Sequence, residues 1–310
     1  MEYEAAPLEG VTDAVFRKNH AAFYPGTDRY YTPFISPTQN HCFTRRDLRE
    51  LSPENNPDVQ IVPQLLGKNA EDLIWAIREL SAMGYAEVDL NLGCPSGTVT
   101  AKKKGAGLLA FPEELDAMLD KVFSAAPCRI SVKTRLGMEQ PEEFPRLLEI
   151  YNKYPVCRLI IHPRTRREMY EGSVHADMFR YAEEHTALPL CYNGDLKTPE
   201  DIRRIAEDHP TVHCVMAGRG LIADPALFRK MNGGGDDIST LRAFHDRLCS
   251  EYVRVFGDRR SAMHRMKAIW AFLLPRFDGA ESYRKRMIKT RRWEDFLLVT
   301  DEIFSTSCYL

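Results

Sequence analysis

The segment Glu87-Val-Asp-Leu-Asn-Leu-Gly-Cys-Pro95 concentrates the chemistry of this chain. It begins as an apolar strand and ends in a turn. There Gly93 permits unusual backbone angles, while Pro95 fixes its own φ and drives Cys94 toward extended backbone. A thiol held just past a strand end is placed to act on a molecule in a cleft. The loop that follows, 96–109, is Gly-rich and carries Lys102, Lys103 and Lys104. A cysteine beside a flexible cationic loop suggests acid–base chemistry on a polyanionic substrate. The other cysteines, at 42, 128, 157, 191, 214, 249 and 308, form no Cys-x-x-Cys pair, so zinc-ribbon and iron–sulfur chemistry have no support and no metal is expected. Cys128, Cys157, Cys191 and Cys214 fall at or near apolar strand segments, where a reduced thiol acts as a small hydrophobe.

The elements that must position Cys94 are short apolar strands alternating with amphipathic helices. Strands are expected to begin near Glu2, Arg29, Val59, Glu87, Arg129, Arg158, Leu188 and His213. Between several of them, apolar residues recur at helical spacing: Leu73, Ile74, Ile77 and Leu80; Leu115, Met118, Leu119 and Val122; Phe144, Leu147, Leu148 and Tyr151. Thr198-Pro-Glu-Asp reads as an N-cap with Pro at the first helical position and acids in the first turn. Eight β–α alternations within about 235 residues predict a (β/α)8 TIM barrel, residues 1–235. The competing doubly wound sheet lacks a Gly-x-Gly-x-x-Gly after its first strand.

Asn232-Gly-Gly-Gly-Asp-Asp237 reads as a linker, after which strand patterns vanish. Leu241, Phe244, Leu248, Tyr252 and Val255, then Met266, Ile269, Trp270 and Leu273, predict a small C-terminal helical bundle domain over 236–310. Its dense basic stretch is Arg284, Lys285, Arg286, Lys289, Arg291 and Arg292. The net charge of −2 hides an asymmetry, because residues 238–310 hold 14 Lys+Arg against 9 Asp+Glu. A basic appendage on an acidic body suggests a nucleic-acid surface. The composition, 44% hydrophobic and 28% charged over 310 residues, is that of a globular protein with one large core and an appendage. No apolar run approaches the roughly 18 residues of a membrane helix, and Met-Glu-Tyr-Glu is not a signal-peptide start, so no membrane association and a cytoplasmic location are expected.

In a barrel, the C-terminal strand ends face the active site. Here those ends read Ala6-Pro-Leu-Glu-Gly10, Pro63-Gln64, Asn91 and Cys94, Lys133, His162, Asn193-Gly-Asp195 and Gly218-Arg219. Polar groups gather at one strand end after another, which argues for a site rather than for seven unrelated turns.

These residues, with their surroundings, resemble the FMN-dependent tRNA-dihydrouridine synthases of bacterial type. The likeness runs through Ala6-Pro-Leu-Glu-Gly-Val-Thr-Asp-Ala-Val-Phe-Arg17, Pro63-Gln-Leu-Leu-Gly67, Asp89-Leu-Asn-Leu-Gly-Cys-Pro95 and Lys104-Gly-Ala-Gly107. It continues through Ser131-Val-Lys-Thr-Arg135, Ile161-His-Pro-Arg-Thr165, Asn193-Gly-Asp195 and Ala217-Gly-Arg219. The departures are small: Leu8 stands where many members have Met, and Pro163 where many have Gly or Ala.

The resemblance implies reduction of a uracil C5–C6 bond in tRNA by NADPH through FMN, with Cys94 donating the proton to C5. It implies that Pro7, Leu8, Glu9, Gln64, Asn91, Lys133 and His162 surround the flavin, and that Asn193, Gly194, Asp195, Gly218 and Arg219 cradle its phosphate. Contacts to tRNA would come from Asn91, Lys102, Lys103, Lys104, Arg135, Arg164, Arg284, Lys285, Arg286 and Lys289. The oligomeric state is left open; a barrel and tail that already form a two-domain cleft for tRNA suit a monomer. Three other readings use the same residues: another FMN barrel acting on a small molecule (a dihydroorotate dehydrogenase or an enone reductase), an aldolase with Lys133 as a Schiff-base lysine, and a catalytically silent tRNA-binding relative, which an intact Cys94 disfavours.

Overall fold

Parallel strands pair around a closed ring in the computed structural model, which describes residues 1–309. The strands are β1 (Glu2–Ala5), β2 (Arg29–Tyr31), β3 (Ile61–Val62), β4 (Gln64–Leu65), β5 (Glu87–Leu92), β6 (Arg129–Arg135), β7 (Leu159–His162), β8 (Leu190–Tyr192) and β9 (Cys214–Ala217). β3 and β4 are one barrel strand interrupted at Pro63, which has no N–H to give to the ladder. β3 pairs with β2 and β4 with β5, so the eight-stranded barrel closes through this broken strand. The expected strand starts hold to within two residues. Each strand leads into a helix or loop whose capping is local; Thr198 and Asp201, for example, form a reciprocal capping box before Pro199–Asp208.

Alternate strand residues point into the barrel. Tyr31, Val62, Ile160, Cys191, Cys214 and Met216 form its apolar interior, while a larger core lies between the sheet and the outer helices. Below that interior, Glu4 is fully buried and pairs with Arg158, whose guanidinium also lies 3.4 Å from Cys214 Sγ. Glu4, Cys191 and Cys214 come close enough together to suggest metal ligands, but the arginine already supplies the countercharge there.

After the last strand the chain is helical: Ile238–Phe256, Arg259–Leu273, Ala280–Lys289 and Trp293–Thr306 are the long helices. Asp237 and Asp258 cap the first two, each accepting from a backbone N–H three residues on. Trp270, Phe296, Leu248 and Met266 fill the bundle core. That core continues into the barrel layer through Val15 and Phe16 of the helix Ala14–Phe23. Polar ties reinforce the junction: Tyr252 donates to Asp13 at 2.9 Å, and Lys18 pairs with Glu251 at 2.6 Å. No helix among the described residues is long and apolar enough to cross a membrane.

His20 binds the same junction together. Its Nε2 lies 2.9 Å from the Pro225 carbonyl, an acceptor, so Nε2 carries the proton; Nδ1 accepts from the Tyr30 hydroxyl at 2.7 Å. Burial holds its pKa down to about 4. The unfolded chain therefore binds the extra proton between pH 6.5 and 4 while the folded chain does not. Stability contributed by neutral His20 is present above pH 6.5 and is lost as pH falls through this window. In urea titrations, the fall in unfolding free energy over this range is expected to be shallower in His20→Gln than in the parent, by up to about 1.4 kcal/mol per pH unit for the one proton removed.

Candidate active site

A cleft of about 350 Å³ opens at the C-terminal ends of the barrel strands. Cys94 and all twelve residues expected to hold the cofactor line it: Pro7, Leu8, Glu9, Gln64, Asn91, Lys133, His162, Asn193, Gly194, Asp195, Gly218 and Arg219. Strand register explains the convergence. Asn91 on β5 stands opposite Lys133 on β6, and one layer deeper Gln64, Asp89 and Ser131 stand side by side on β4, β5 and β6.

The Cys94 turn is held from beneath. Asn91 Oδ1 accepts from the backbone N–H of Gly93 at 3.1 Å and of Cys94 at 2.9 Å. Gly93 adopts none of the left-handed angles that glycine permits; the left-handed residues of the following loop are Lys103, with φ +53°, and Gly105, with φ +56°. A side chain at Gly105 would meet the Cys94 carbonyl oxygen at 2.9 Å, so this glycine lets the following loop pack onto the turn. The loop is likewise not the flexible segment its composition suggests. It folds into two short helical turns, Gly97–Thr100 and Gly105–Leu108, and the Ala106 N–H donates to the Cys94 carbonyl at 3.1 Å.

Electrostatics distinguish the groups in the cleft. Burial raises the Cys94 thiol pKa above its ordinary value, outweighing the pull of Arg135 and Lys133, so the half-buried thiol is protonated at neutral pH. Lys133 has neither hydrogen bond nor ion pair among the described residues, and burial together with the Arg135 charge brings its pKa down to about 8. His162 is held neutral by burial and by Arg135, Lys133, Arg164 and Arg219. Its Nε2 lies 3.2 Å from Arg164 Nη1, which can only donate, so the proton sits on Nδ1.

The far side of the cleft is backbone-rich. Asn193 donates to the Met216 carbonyl at 2.7 Å, tying the loop after β8 to β9. Asp195 takes a left-handed φ of +47° and accepts from Arg164 and Arg219. Burial works against its charge, but the Arg164 hydrogen bond and both guanidiniums outweigh it and keep the carboxyl ionised. Gly220 lies against this loop: a Cβ there would stand 1.8 Å from the Leu196 carbonyl oxygen.

Several expected RNA contacts lie elsewhere. Arg164 is fully buried and does not line the cleft. It holds Asp195 and the carbonyls of Glu171 and Gly172, because a guanidinium with no access to water must find protein acceptors. Arg135 lines the cleft but is 1% exposed, and it donates to the carbonyls of Gly93, Thr165 and Met169. Both arginines anchor the loop after β7. Lys102, Lys103 and Lys104 do not line the cleft. Lys103 pairs with Glu114 at 2.8 Å over the Phe111 ring, on the outer face. Arg284, Lys285, Arg286 and Lys289 are exposed on the helix Ala280–Lys289, away from the cleft, and Arg286 is paired through both terminal nitrogens with Glu302.

Residues 4–297 match the family described as Dihydrouridine synthase (Dus). The chain belongs to the dihydrouridine synthase family. Among its relatives is "tRNA-dihydrouridine synthase B" of Pasteurella multocida, 28% identical over 229 residues, which span 73% of this chain and 67% of the relative. "Probable tRNA-dihydrouridine synthase 2" of Bacillus subtilis is 27% identical over 307 residues, covering 96% of this chain and 92% of the relative. The barrel alone is shared with the old yellow enzyme homologue of Zymomonas mobilis, at a TM-score of 0.53 and 12% identity over 77% of this chain and 91% of that one.

Within this family member, the sequence pointed past four large side chains and a cation that line the cleft: Phe34, Tyr170, Met216, Phe272 and Lys197. Phe34 and Met216 follow from the strand-end rule, being just past β2 and near the end of β9. Tyr170 does not, because it sits in a long loop without periodicity. Its ring lies beneath Arg219 at 4.4 Å and Arg135 at 5.1 Å. Phe272 belongs to the helix Arg259–Leu273 and falls off the core-facing stripe, so helical spacing alone marks it as surface.

Proposed function

We propose that this protein is a tRNA-dihydrouridine synthase that adds two hydrogens across the C5–C6 bond of uridines in tRNA, using NADPH as reductant and FMN as cofactor. The observation that carries the reading is that Cys94 faces the same cleft as the unpaired side chain of Lys133 in a chain of this family.

The residues present suit FMN. The unpartnered Lys133 ammonium and the His162 Nδ1–H offer donors to an electron-rich ring and its edge. Pro7, Leu8, Glu9 and Gln64 would flank that ring. Gly194 and Gly218 line the cleft at points where a Cβ would crowd Val174 and Tyr192 or Leu8 and Ala6, and Asn193, Arg219 and Lys197 would hold the phosphate. When bound there, the flavin supplies the hydride that is added at C6 of the uracil. Cys94 then gives its Sγ proton to C5, where negative charge develops. The nearby positive charges of Arg135 and Lys133 favour the thiolate that remains, and the half-buried sulfur regains a proton from solvent. Asn91, fixed by the Cys94 turn and Gln64 and lining the cleft, would bond a uracil edge with its remaining Nδ2 hydrogen. A uracil reaches this depth only when extruded from the tRNA stack.

Incubation with NADPH and unmodified tRNA, followed by mapping of dihydrouridine, tests the reading. Turnover of an enone or of dihydroorotate, with none on tRNA, would move the protein to the small-molecule flavin barrels.

The exposed cations of the last helices are the proposed phosphate contacts. Charge reversal at Lys285 and Lys289 is expected to weaken tRNA binding and to flatten the salt dependence by about one unit of slope per lost contact. Flavin content should stay normal. Arg286→Glu should contribute less to that slope, because Glu302 already holds the guanidinium. Filter-binding titrations at several salt concentrations measure both effects.

A further inference from the structure

The row of side chains beneath Cys94 has a direction. The backbone N–H groups of Gly93 and Cys94 can only donate, so the Asn91 atom they meet is Oδ1. Asn91 Nδ2 therefore faces Gln64, and meets its Oε1 at 2.7 Å. Gln64 Nε2 is left to donate to Asp89 at 2.7 Å. Ser131 Oγ ends the row on the second carboxyl oxygen at 3.0 Å. An amide group rotated by 180° fits the same space, so each amide's orientation is set only by the partners at its two ends. Asp89 is fully buried, and no water can replace it as acceptor for Gln64.

We propose that Asp89 is a positioning residue for the reaction: its carboxyl group locks the Gln64 and Asn91 amides in one orientation and, through them, the turn that presents Cys94. The inference rests on the proton-donor role proposed above. Asp89 acts at one remove, since it is absent from the cleft lining.

The row requires an acceptor toward Gln64, not a charge. A neutral carboxyl keeps its carbonyl oxygen toward Gln64 and directs its O–H at Ser131, whose hydroxyl can accept. Burial, which brings the Asp89 pKa up to about 7, thus leaves the row intact in either protonation state. Asparagine at this position does the same with its oxygen and its NH2. Valine fills the space but offers nothing to Gln64, whose amide is then free to rotate and to release Asn91.

The test compares Asp89→Asn and Asp89→Val in flavin-loaded protein whose exposed thiols are removed (Cys42→Ser, Cys308→Ser). Iodoacetamide labelling of Cys94, followed by peptide mass spectrometry, reports the turn without any substrate. Asp89→Asn should label within about twofold of the parent, and Asp89→Val should differ by about fivefold or more, the equivalent of one lost buried hydrogen bond. With tRNA, oxidation of the reduced flavin should slow about 10- to 100-fold in Asp89→Val. Reduction by NADPH should be unchanged. In a Cys94→Ala background, Asp89→Val should add no more than about twofold.

Parent-like labelling of Asp89→Val would overturn the proposal, as would equal losses in Asp89→Asn and Asp89→Val, or effects of Asp89→Val and Cys94→Ala that multiply. Should Asp89→Val fail to fold, Asp89→Leu removes the same acceptor in a side chain closer in shape to aspartate and is read by the same criteria. Absence of dihydrouridine from the parent reaction would refute the proposed function, while the labelling arm still judges Asp89.

Discussion

Cys94→Ala is expected to reduce dihydrouridine formation by about 10²- to 10⁴-fold, the usual contribution of a positioned general acid. Flavin content, thermal stability and the rate of flavin reduction by NADPH should match the parent. The expectation follows from two features of the site. Asn91 and Gly105 hold the turn without using the sulfur, so alanine leaves the backbone where it is. The thiol is also the group at this turn that carries a transferable proton at neutral pH, because burial raises its pKa. Stopped-flow measurement of the two half-reactions separates these effects. The parent's tRNA-dependent step should be flat through neutral pH and fall only above the ordinary thiol range, as Sγ loses its proton. A Cys94→Ala enzyme that turned over tRNA at the parent rate would remove the acid role. An acid limb near pH 6 assigned to Cys94 would instead indicate a thiolate nucleophile.

Gly220→Ala is expected to empty the cleft of flavin. A Cβ at this position would stand 1.8 Å from the Leu196 carbonyl oxygen and 3.0 Å from Lys197 Cα, both backbone atoms that no rotamer change can move aside. Relief requires the loop after β8 and the segment Arg219–Ala223 to separate, and these carry Asp195, Lys197 and Arg219. Overpacking of this kind costs about 1–3 kcal/mol or more. If the cost falls on the bound state, flavin affinity drops about 5- to 150-fold. Absorbance of the purified protein near 450 nm and a flavin-binding titration read the result directly. Retention of stoichiometric flavin would show that the two segments do not cradle it together.

Legibility from sequence varied with the range of the physics involved. The strand ends were legible because a buried parallel strand is a short apolar run, and the polar residue that stops it is visible in the chain itself. Hence Gln64, Asn91, Lys133 and His162 could be named, and the cleft contains them. The loop after Cys94 was misread as flexible, since glycine content signals freedom only until packing is known; Gly105 uses its freedom to fit against Cys94. The burial of Arg135 and Arg164, which the resemblance offered as tRNA contacts, was hidden for a related reason. An arginine carries the same letter whether it faces water or spends its donors on buried carbonyls.

The sequence by itself determined the barrel, the position of Cys94 past a strand end and the family, because these depend on local periodicity and on contiguous motifs. Only the tertiary structure decided the protonation of the thiol, the tautomer of His162, the direction of the Asp89–Gln64–Asn91 row and the entry of Phe272 into the cleft. Each of these depends on desolvation or on contacts between residues far apart in the chain, and such distances are set when the barrel closes.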